Sequence, residues 1–399
     1  MTISNASNEK FNWYPVLLAS LTISVGQLSI GLIFPSLPWI AKDFSISIDQ
    51  AQLLISVYLI GFGPSQFLYG PISDSIGRKK VLLWALVLAF IGLSVLIMFS
   101  SSFTGLIVGR FIQGLGTGCC AVLARALTRD SYSGDRLPIA LSYVTIVASF
   151  TPIFAPVVGG FINHAYGWLA IFITLLCYVS LVWIMLYFYF NETLEETKPL
   201  PKIMDSIRQY KELLSSTYFL SFGTIGWLNF TLVTLCISLM PFLMQIQIGM
   251  TSDEYALWAL IPAVGMLLGS SSVAFLRPKI GLKNVLFVAP FMQLCSAVWF
   301  IFTPLNPLFL MVGQFLMVFG NGIALPCAQA QLMLPYRNKA GMVAALAGGG
   351  QMIVAAIISY TLMKFGMNQA WHLGVVIGIF SFITIMNIVR GFKAKAVGQ

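Results

Sequence analysis

Twelve apolar stretches run through this chain, each long enough to cross a bilayer, and no other feature constrains the fold so tightly. A spanning helix needs about 20 mostly apolar residues. The expected spans are 14–34, 51–70, 81–99, 104–123, 139–162, 168–190, 218–244, 255–275, 285–302, 307–332, 342–365 and 370–388. Only 9% of the residues are charged, against roughly 25% in soluble domains, which excludes a soluble protein. The spans and their short loops use up the length, so no large soluble domain fits.

The net charge of +9 would suit a nucleic-acid binder, but its distribution argues otherwise. With loops numbered alternately, one side carries Lys10, Arg78, Lys79, Lys80, Arg125, Arg129, Arg136, Lys198, Lys202, Arg208, Lys211, Arg277, Lys279, Lys283, Arg337, Lys339, Arg390, Lys393 and Lys395. The other carries Lys42 and Lys364. Positively charged loops stay cytoplasmic, so both termini are expected inside a cytoplasmic (inner) membrane. All six cysteines fall inside expected helices without metal-ligand spacing, and read as small packing residues. No metal or cofactor is expected. The first stretch is too long for a signal peptide and has no convincing cleavage site, so it reads as a retained helix.

The longest hydrophilic stretch, 191–216, divides six spans from six. The expected organisation is a six-helix bundle over 1–190, a cytoplasmic linker over 191–216 and a second six-helix bundle over 217–399. One constant offset carries Ile76-Gly77-Arg78-Lys79-Lys80-Val81-Leu82 onto Ile280-Gly281-Leu282-Lys283-Asn284-Val285-Leu286. The same offset carries Arg110-Phe111-Ile112 onto Gln314-Phe315-Leu316, and Gly116 and Gly118 onto Gly320 and Gly322. Shared register at equivalent positions points to duplication. Parallel repeats place a substrate near the midplane between the halves, with access alternating by rocking.

The loop after the second span reads Gly70-Pro-Ile-Ser-Asp74-Ser-Ile-Gly77-Arg78-Lys79-Lys80. Its glycines allow close approach and tight turning, and Asp74 can pair with a nearby arginine. A basic loop that only sets topology explains the spacing equally well. The segment resembles the G-x-x-x-D-x-x-G-R-K signature of the major facilitator superfamily. Leu106-x-x-x-Arg110-x-x-Gln113-Gly114-x-Gly116 resembles that superfamily's helix 4 motif. Thr151-Pro152-x-x-Ala155-Pro156-x-x-Gly159-Gly160 resembles the helix 5 motif of its drug/proton antiporters. Arg125-Ala126-x-x-Arg129-Asp130 and Leu37-Pro38-x-Ile40 are similar to the Bcr/CflA group of drug-resistance exporters. The resemblance implies an all-α membrane protein of twelve helices in two six-helix pseudo-repeat bundles. It implies a conformational gate at Gly70, Asp74, Gly77, Arg78 and Arg125. It also implies close helix packing at Pro152, Pro156, Gly159 and Gly160.

Arg110 is the one charge clearly within a span. It lies about 9 Å along its helix from Thr104. An arginine at the bilayer centre costs roughly 2.5–3.5 kcal/mol even on the mildest scale. It either snorkels outward or serves a cavity, the latter suggested by a small or polar stripe of Arg110, Gln113, Gly114, Thr117 and Ala121. Further stripes are Ser20, Ser24, Gln27 and Gly31 in the first span, Asn229 in the seventh, and Gln314 and Asn321 in the tenth. In the family, helices 1, 4, 7 and 10 line the cavity; for each single residue interhelical bonding competes with substrate contact. Tyr58 and Gln66 in the second span are similar candidates.

No Asp or Glu lies in the interior of a span. Bcr/CflA-type exporters usually carry an acid on helix 1 shortly before the Leu-Pro pair; here Gly31 stands nearest that place. A cavity selective for cationic drugs is therefore not expected, and Arg110 favours anionic, zwitterionic or neutral solutes. His164 and His372 sit at the outer ends of the fifth and twelfth spans; His164 is a candidate proton site against a plain interfacial reading. An embedded enzyme would need a nucleophile–base set, a carboxylate pair or a histidine cluster in the spans, and none is present. The expectation is a secondary transporter, not an enzyme. It would export a drug or an anionic or zwitterionic metabolite such as a carboxylate siderophore, with uptake carrier and uncoupled facilitator as alternatives. Its partners are a small-molecule substrate, protons and the lipid bilayer, with no nucleic acid, and the chain is expected to act as a monomer.

The charge asymmetry makes a direct prediction. In a variant without native cysteines, cysteines placed at Ser206 and Ala394 react with impermeant reagents from the cytoplasmic side alone, and one at Asn368 reacts from outside. The opposite labelling pattern would reverse the orientation.

Overall fold

The computed structural model describes residues 11–194, 199–200, 203–302 and 304–394, the side chains of 203, 337, 338 and 340 excepted. Of the charged positions discussed above, Lys10, Lys198, Lys202, Lys395 and the Arg337 side chain lie outside the described residues.

Hydrocarbon offers no partner for backbone N–H and C=O groups, so a spanning segment must satisfy them internally as a helix. The spans are α1 (Tyr14–Gly31), α2 (Ile48–Ile76), α3 (Arg78–Met98), α4 (Phe103–Ser131), α5 (Arg136–Tyr166) and α6 (Trp168–Tyr189). They continue with α7 (Thr217–Gln247), the element Ser252–Phe302, α10 (Pro307–Tyr336), α11 (Ala340–Lys364) and α12 (Ala370–Lys393). Ser252–Phe302 runs as one helical element with a long apolar window but breaks at Gly281 (φ 76°, ψ 157°), beside the charged residues Arg277, Lys279 and Lys283; the break divides it into α8 (252–280) and α9 (282–302). Among the described residues, twelve spans therefore rest on eleven apolar elements. A short helix, Leu37–Asp43, follows α1, and an amphipathic linker helix, Ile203–Ser215, precedes α7.

Polar residues mark where helices begin. Ser47 and Gln50 form a capping box at α2, Thr251 and Glu254 another at α8, and the Ser102 and Asn306 side chains accept backbone N–H groups at α4 and α10. Such caps satisfy orphan donors of the first turn. The helices outrun their apolar cores. α2 has 29 residues, about 43 Å at 1.5 Å per residue, so it projects beyond a hydrocarbon layer of roughly 30 Å. Gly77 (φ 106°) separates α2 from α3 as Gly281 separates α8 from α9. Positive φ at both suits glycine, which has no Cβ to clash.

Without a hydrophobic driving force in lipid, helices associate through close packing of small residues. At Gly116 a Cβ would meet the Ala85 carbonyl oxygen at 2.5 Å; at Gly320, the Ala289 carbonyl oxygen at 2.7 Å. The α3–α4 and α9–α10 crossings thus use residues that the constant sequence offset relates.

The two sets of six spans meet along α2 and α11, where Ser56 Oγ donates to the Ala356 carbonyl oxygen at 3.1 Å and Gly63 lies against Gly349. They meet again at the face opposite the basic loops, where Gly160 of α5 presses on Ser252 and Ala256 of α8. Toward the basic face, α5 exposes Ile139, Tyr143 and Ile146, and α8 exposes Leu268 and Phe275. A groove of about 660 Å³ lies on the basic-side halves of α1 and α5, lined by residues that include Trp13, Ser20, Tyr143 and Ile146. The molecule is closed at one face and splayed at the basic face.

The glycine crossings carry a prediction. Gly116→Leu forces a side chain against Ala85 and Ala89 and should cost about 1–3 kcal/mol, the usual range for overpacking. Gly226→Ala, where a Cβ meets nothing within 4 Å, should be neutral. Thermal unfolding of the purified variants measures both.

Candidate functional site

Arg110 is fully buried, at 0% exposure. Its Nε donates to the Leu54 carbonyl oxygen of α2 at 3.1 Å, and its Nη1 to the Ser29 carbonyl oxygen of α1 and to Gln113 Oε1, each at 2.9 Å. The guanidinium carbon sits 4.2 Å from the Tyr58 ring centre, where the π face attracts a cation. The Tyr58 hydroxyl in turn shares a 2.7 Å hydrogen bond with Thr117 Oγ1. One side chain thus ties α1, α2 and α4 together. Snorkelling is overturned, because the guanidinium is held inward by groups on two neighbouring helices. Gly114 permits the approach, since a Cβ there would collide with the Tyr58 carbonyl oxygen. Arg110 Nη2, Gln113 Nε2 and Ser29 Oγ are buried without partners. Among the described residues, no carboxylate pairs with Arg110.

The other expected lining residues divide. Gln293 of α9 donates through Nε2 to Asn229 Oδ1 at 2.6 Å and to Asn321 Oδ1 at 2.8 Å, and all three are fully buried. Asn229 and Asn321 are therefore engaged in an interhelical amide triad. Gln293 carried no sequence signal, being a single glutamine in an apolar span. Gln314 is buried, and its Oε1 is unpartnered. Gln27 is half-buried and makes no side-chain hydrogen bond within the described residues, which leaves its amide free to meet a solute. It falls seven residues beyond Ser20 on the same line of α1, continuing the α1 side of the groove toward mid-span.

At the basic face, Arg78 is the hub. It pairs with Asp74, its Nε lies 3.0 Å from Asp130 Oδ2, and its Nη1 donates to Ser73 Oγ at 2.6 Å. Glu192, just past α6, accepts the backbone N–H groups of Arg78 at 2.9 Å and Lys79 at 3.1 Å. A carboxylate at a helix N-terminus satisfies orphan donors and complements the dipole. Gly77 makes room, since a Cβ would meet Glu192 Oε2 at 2.5 Å. Arg125 is exposed and makes no ion pair among the described residues; Asp130, five residues further along α4, meets Arg78. Gly70 has only an ordinary contact, 3.8 Å to Val122. Glu192 went unnoticed because it reads as the first charge of a hydrophilic linker.

The opposite face is closed by a polar clasp between the halves. Trp39 Nε1 donates to Gln245 Oε1 at 2.9 Å and Ser252 Oγ at 2.7 Å. Gln245 Nε2 reaches the Pro35 carbonyl oxygen, and Asn163 Nδ2 reaches Ser252 Oγ at 2.7 Å. His164 Nδ1 stands 3.0 Å from Asp253 Oδ1. Gly159 and Gly160 bring α5 against Leu32 and Ser252. Pro156 is buried in the same helix and Pro152 is exposed, and α5 runs on through both.

A family model described as Major Facilitator Superfamily matches residues 19–359. The chain belongs to the major facilitator superfamily. Among similar proteins is the multidrug resistance protein MdtL of Shewanella sp. (strain ANA-3), 27% identical over 366 residues that cover 90% of each chain. Another is multidrug resistance protein D of Escherichia coli (strain K12), 26% identical over 93% of this chain and 94% of that one. The fold is that of the E. coli xylose transporter XylE in a partially occluded inward open conformation (TM-score 0.73, 15% identity, 96% and 98% coverage). It is also that of a POT family transporter solved with 5-aminolevulinic acid (TM-score 0.76, 14% identity, 95% and 96% coverage).

In a major facilitator transporter the two faces open in turn. The hub around Arg78 ties α2, α3, α4 and the start of the linker into one unit. Asp130→Asn or Asp74→Asn leaves Arg78, nearly buried, short of a charge partner, and Arg78→Ala removes the hub. Each should lower transport by about tenfold, the equivalent of 1.4 kcal/mol, with the protein still folded in the membrane. Vesicle transport at matched expression measures it; normal rates in all three would leave the loop with a topological role alone.

Proposed function

We propose that this transporter exports small organic molecules that are neutral, zwitterionic or anionic, by alternating access across the cytoplasmic membrane, with the basic face and both termini in the cytoplasm. The observation that carries the substrate class is the charge inventory. Among the described residues the span interiors hold one buried cation, Arg110, and no carboxylate. Unit opposite charges 4 Å apart attract by about 4 kcal/mol at an effective dielectric near 20, and by half that at about 8 Å. A lipophilic cation entering the splayed face would shed water, meet repulsion and find no counter-ion. A carboxylate, such as that of a secreted chelator, would be drawn in. In this closed-face state Arg110 acts through its field, because it is fully buried. Gln27 supplies the amide that meets the solute.

Export is supported by the names of the relatives, which are multidrug resistance proteins. In this reading protons act at His164, which stands against Asp253 across the two halves. A protonated His164 would attract Asp253 and hold the outer face closed, and a neutral one would release it.

The test is a panel of size-matched cationic, neutral and anionic ligands bound to purified wild type and Arg110→Gln. Wild type should prefer anions over tetraphenylphosphonium, and Arg110→Gln should lose that preference by about tenfold or more. Its melting temperature should stay near wild type, because the lost hydrogen bonds are offset by no longer burying an unpaired charge. Tight binding of tetraphenylphosphonium, unchanged by the substitution, would return the protein to the cationic-drug exporters.

A further inference from the structure

The linker helix Ile203–Ser215 has an uncovered apolar face. Tyr210 packs edge-on against Phe67 of α2 at 5.3 Å between ring centres, and Leu213 is buried in the core of the second set of spans. Glu212 reaches Lys339 at 3.6 Å. The helix is therefore anchored to both halves near the basic face. Yet Met204, Ile207 and Leu214 are 74%, 54% and 42% exposed.

Helical geometry sorts these residues. At about 100° per residue, Leu214, Ile207 and Met204 fall within roughly 80° of one another, beside the arc that Tyr210 and Leu213 turn to the protein. Lys211 falls inside the apolar arc and Arg208 borders it. Asp205 and Glu212 fall together on the far side. Neither basic side chain is buried, and long basic side chains lay their stems along apolar surface while their heads reach outward. Apolar stripe, basic border and acidic back are the arrangement of a helix lying in a membrane interface.

We propose that this helix docks its Met204–Ile207–Leu214 stripe into the headgroup region of the membrane, with Arg208 and Lys211 on the phosphates of anionic lipids. The occupant is lipid because of charge complementarity. The residues beside the stripe are basic, the acids lie farther round the helix, with Glu212 3.8 Å from Arg208 and 3.6 Å from Lys339, and the anchors at Phe67 and the core hold the helix near the basic face. Each basic residue near an anionic surface strengthens attachment by about fivefold, the equivalent of roughly 1 kcal/mol. Since the helix touches both halves, lipid charge would bear on how the halves move. The surface is independent of the substrate reading.

The experiment uses the full chain in nanodiscs of phosphatidylcholine alone or mixed equally with phosphatidylglycerol. Both leaflets are then alike, so the outcome does not depend on the orientation in cells. An environment-sensitive fluorophore is placed at Ile207→Cys or at Asp205→Cys in a background without native cysteines. Lipids carrying a quencher near the headgroup should quench the label at 207 and spare that at 205. Arg208→Gln with Lys211→Gln should reduce the docked-to-free ratio by about 25-fold in the mixed discs and little in phosphatidylcholine. Hydrogen exchange over 203–215 in the unmodified protein should slow when phosphatidylglycerol is present, which covers the case of a labelled variant that folds poorly. Equal quenching at both sites, exchange indifferent to lipid charge, or a 207 label shielded by protein in both disc types would overturn the proposal. The last outcome would make the stripe a contact within the transporter or between copies of it.

Discussion

Hydrocarbon accepts no hydrogen bonds, so each polar side chain in the spans must find its partner in the protein, and the structure is arranged around where those partners stand. In the first set of spans the guanidinium of Arg110 draws α1, α2 and α4 together through two backbone carbonyls, one amide and one aromatic face. In the second set Gln293 does the same between Asn229 and Asn321 without any charge. Related scaffolds are thus pinned by different chemistry, and only the first carries a fixed field. A buried cation without a counter-ion is costly. Its retention among aromatic, carbonyl and amide groups, with three nearby polar atoms still unpartnered, is why the proposed substrate class turns on charge.

The two faces are held by different forces. The closed face uses neutral hydrogen bonds from Trp39, Gln245, Ser252 and Asn163, with one titratable pair at its edge, over glycines that let backbones touch. Such contacts are short-ranged and vanish once the helices separate. The basic face gathers charges on Arg78 and fastens α3's first turn to Glu192. Those contacts lie within the first set of spans and the residue that follows it, so they make that set rigid rather than joining it to the second. A rigid unit rocking on the α2–α11 contact, with a polar clasp that forms or releases, is the motion this distribution of forces permits.

Much was legible in the chain because it follows from local rules. Twelve apolar runs had to be helices in lipid, and the boundary between α8 and α9, where the helices run together, falls at Gly281, whose positive φ mirrors that of Gly77. The run of Gly70, Asp74, Gly77 and Arg78 allowed an ion pair as readily as a loop that only sets topology, and the lack of span carboxylates was plain from the residues themselves. Partners far apart in sequence were not legible. Asp130 is the residue of α4 that meets Arg78, because it carries the opposite charge and the rotation of that helix turns it there. Glu192 and Gln293 had no pattern around them, and their importance lies in what they touch.

The chain by itself determined the number of spans, the side that gathers positive charge, the family and the charge content of the membrane interior, since each depends on residue type along a line. Tertiary structure alone decided that Arg110 is sealed rather than snorkelling, that Asn229 and Asn321 are spent on Gln293 of α9, and that Gln27 is left free. It decided too which face is closed. These outcomes depend on how helices are rotated and how closely they approach. That is settled by where a glycine lets two backbones meet, as Gly114 does at Tyr58, and by which polar groups the approach then brings within reach.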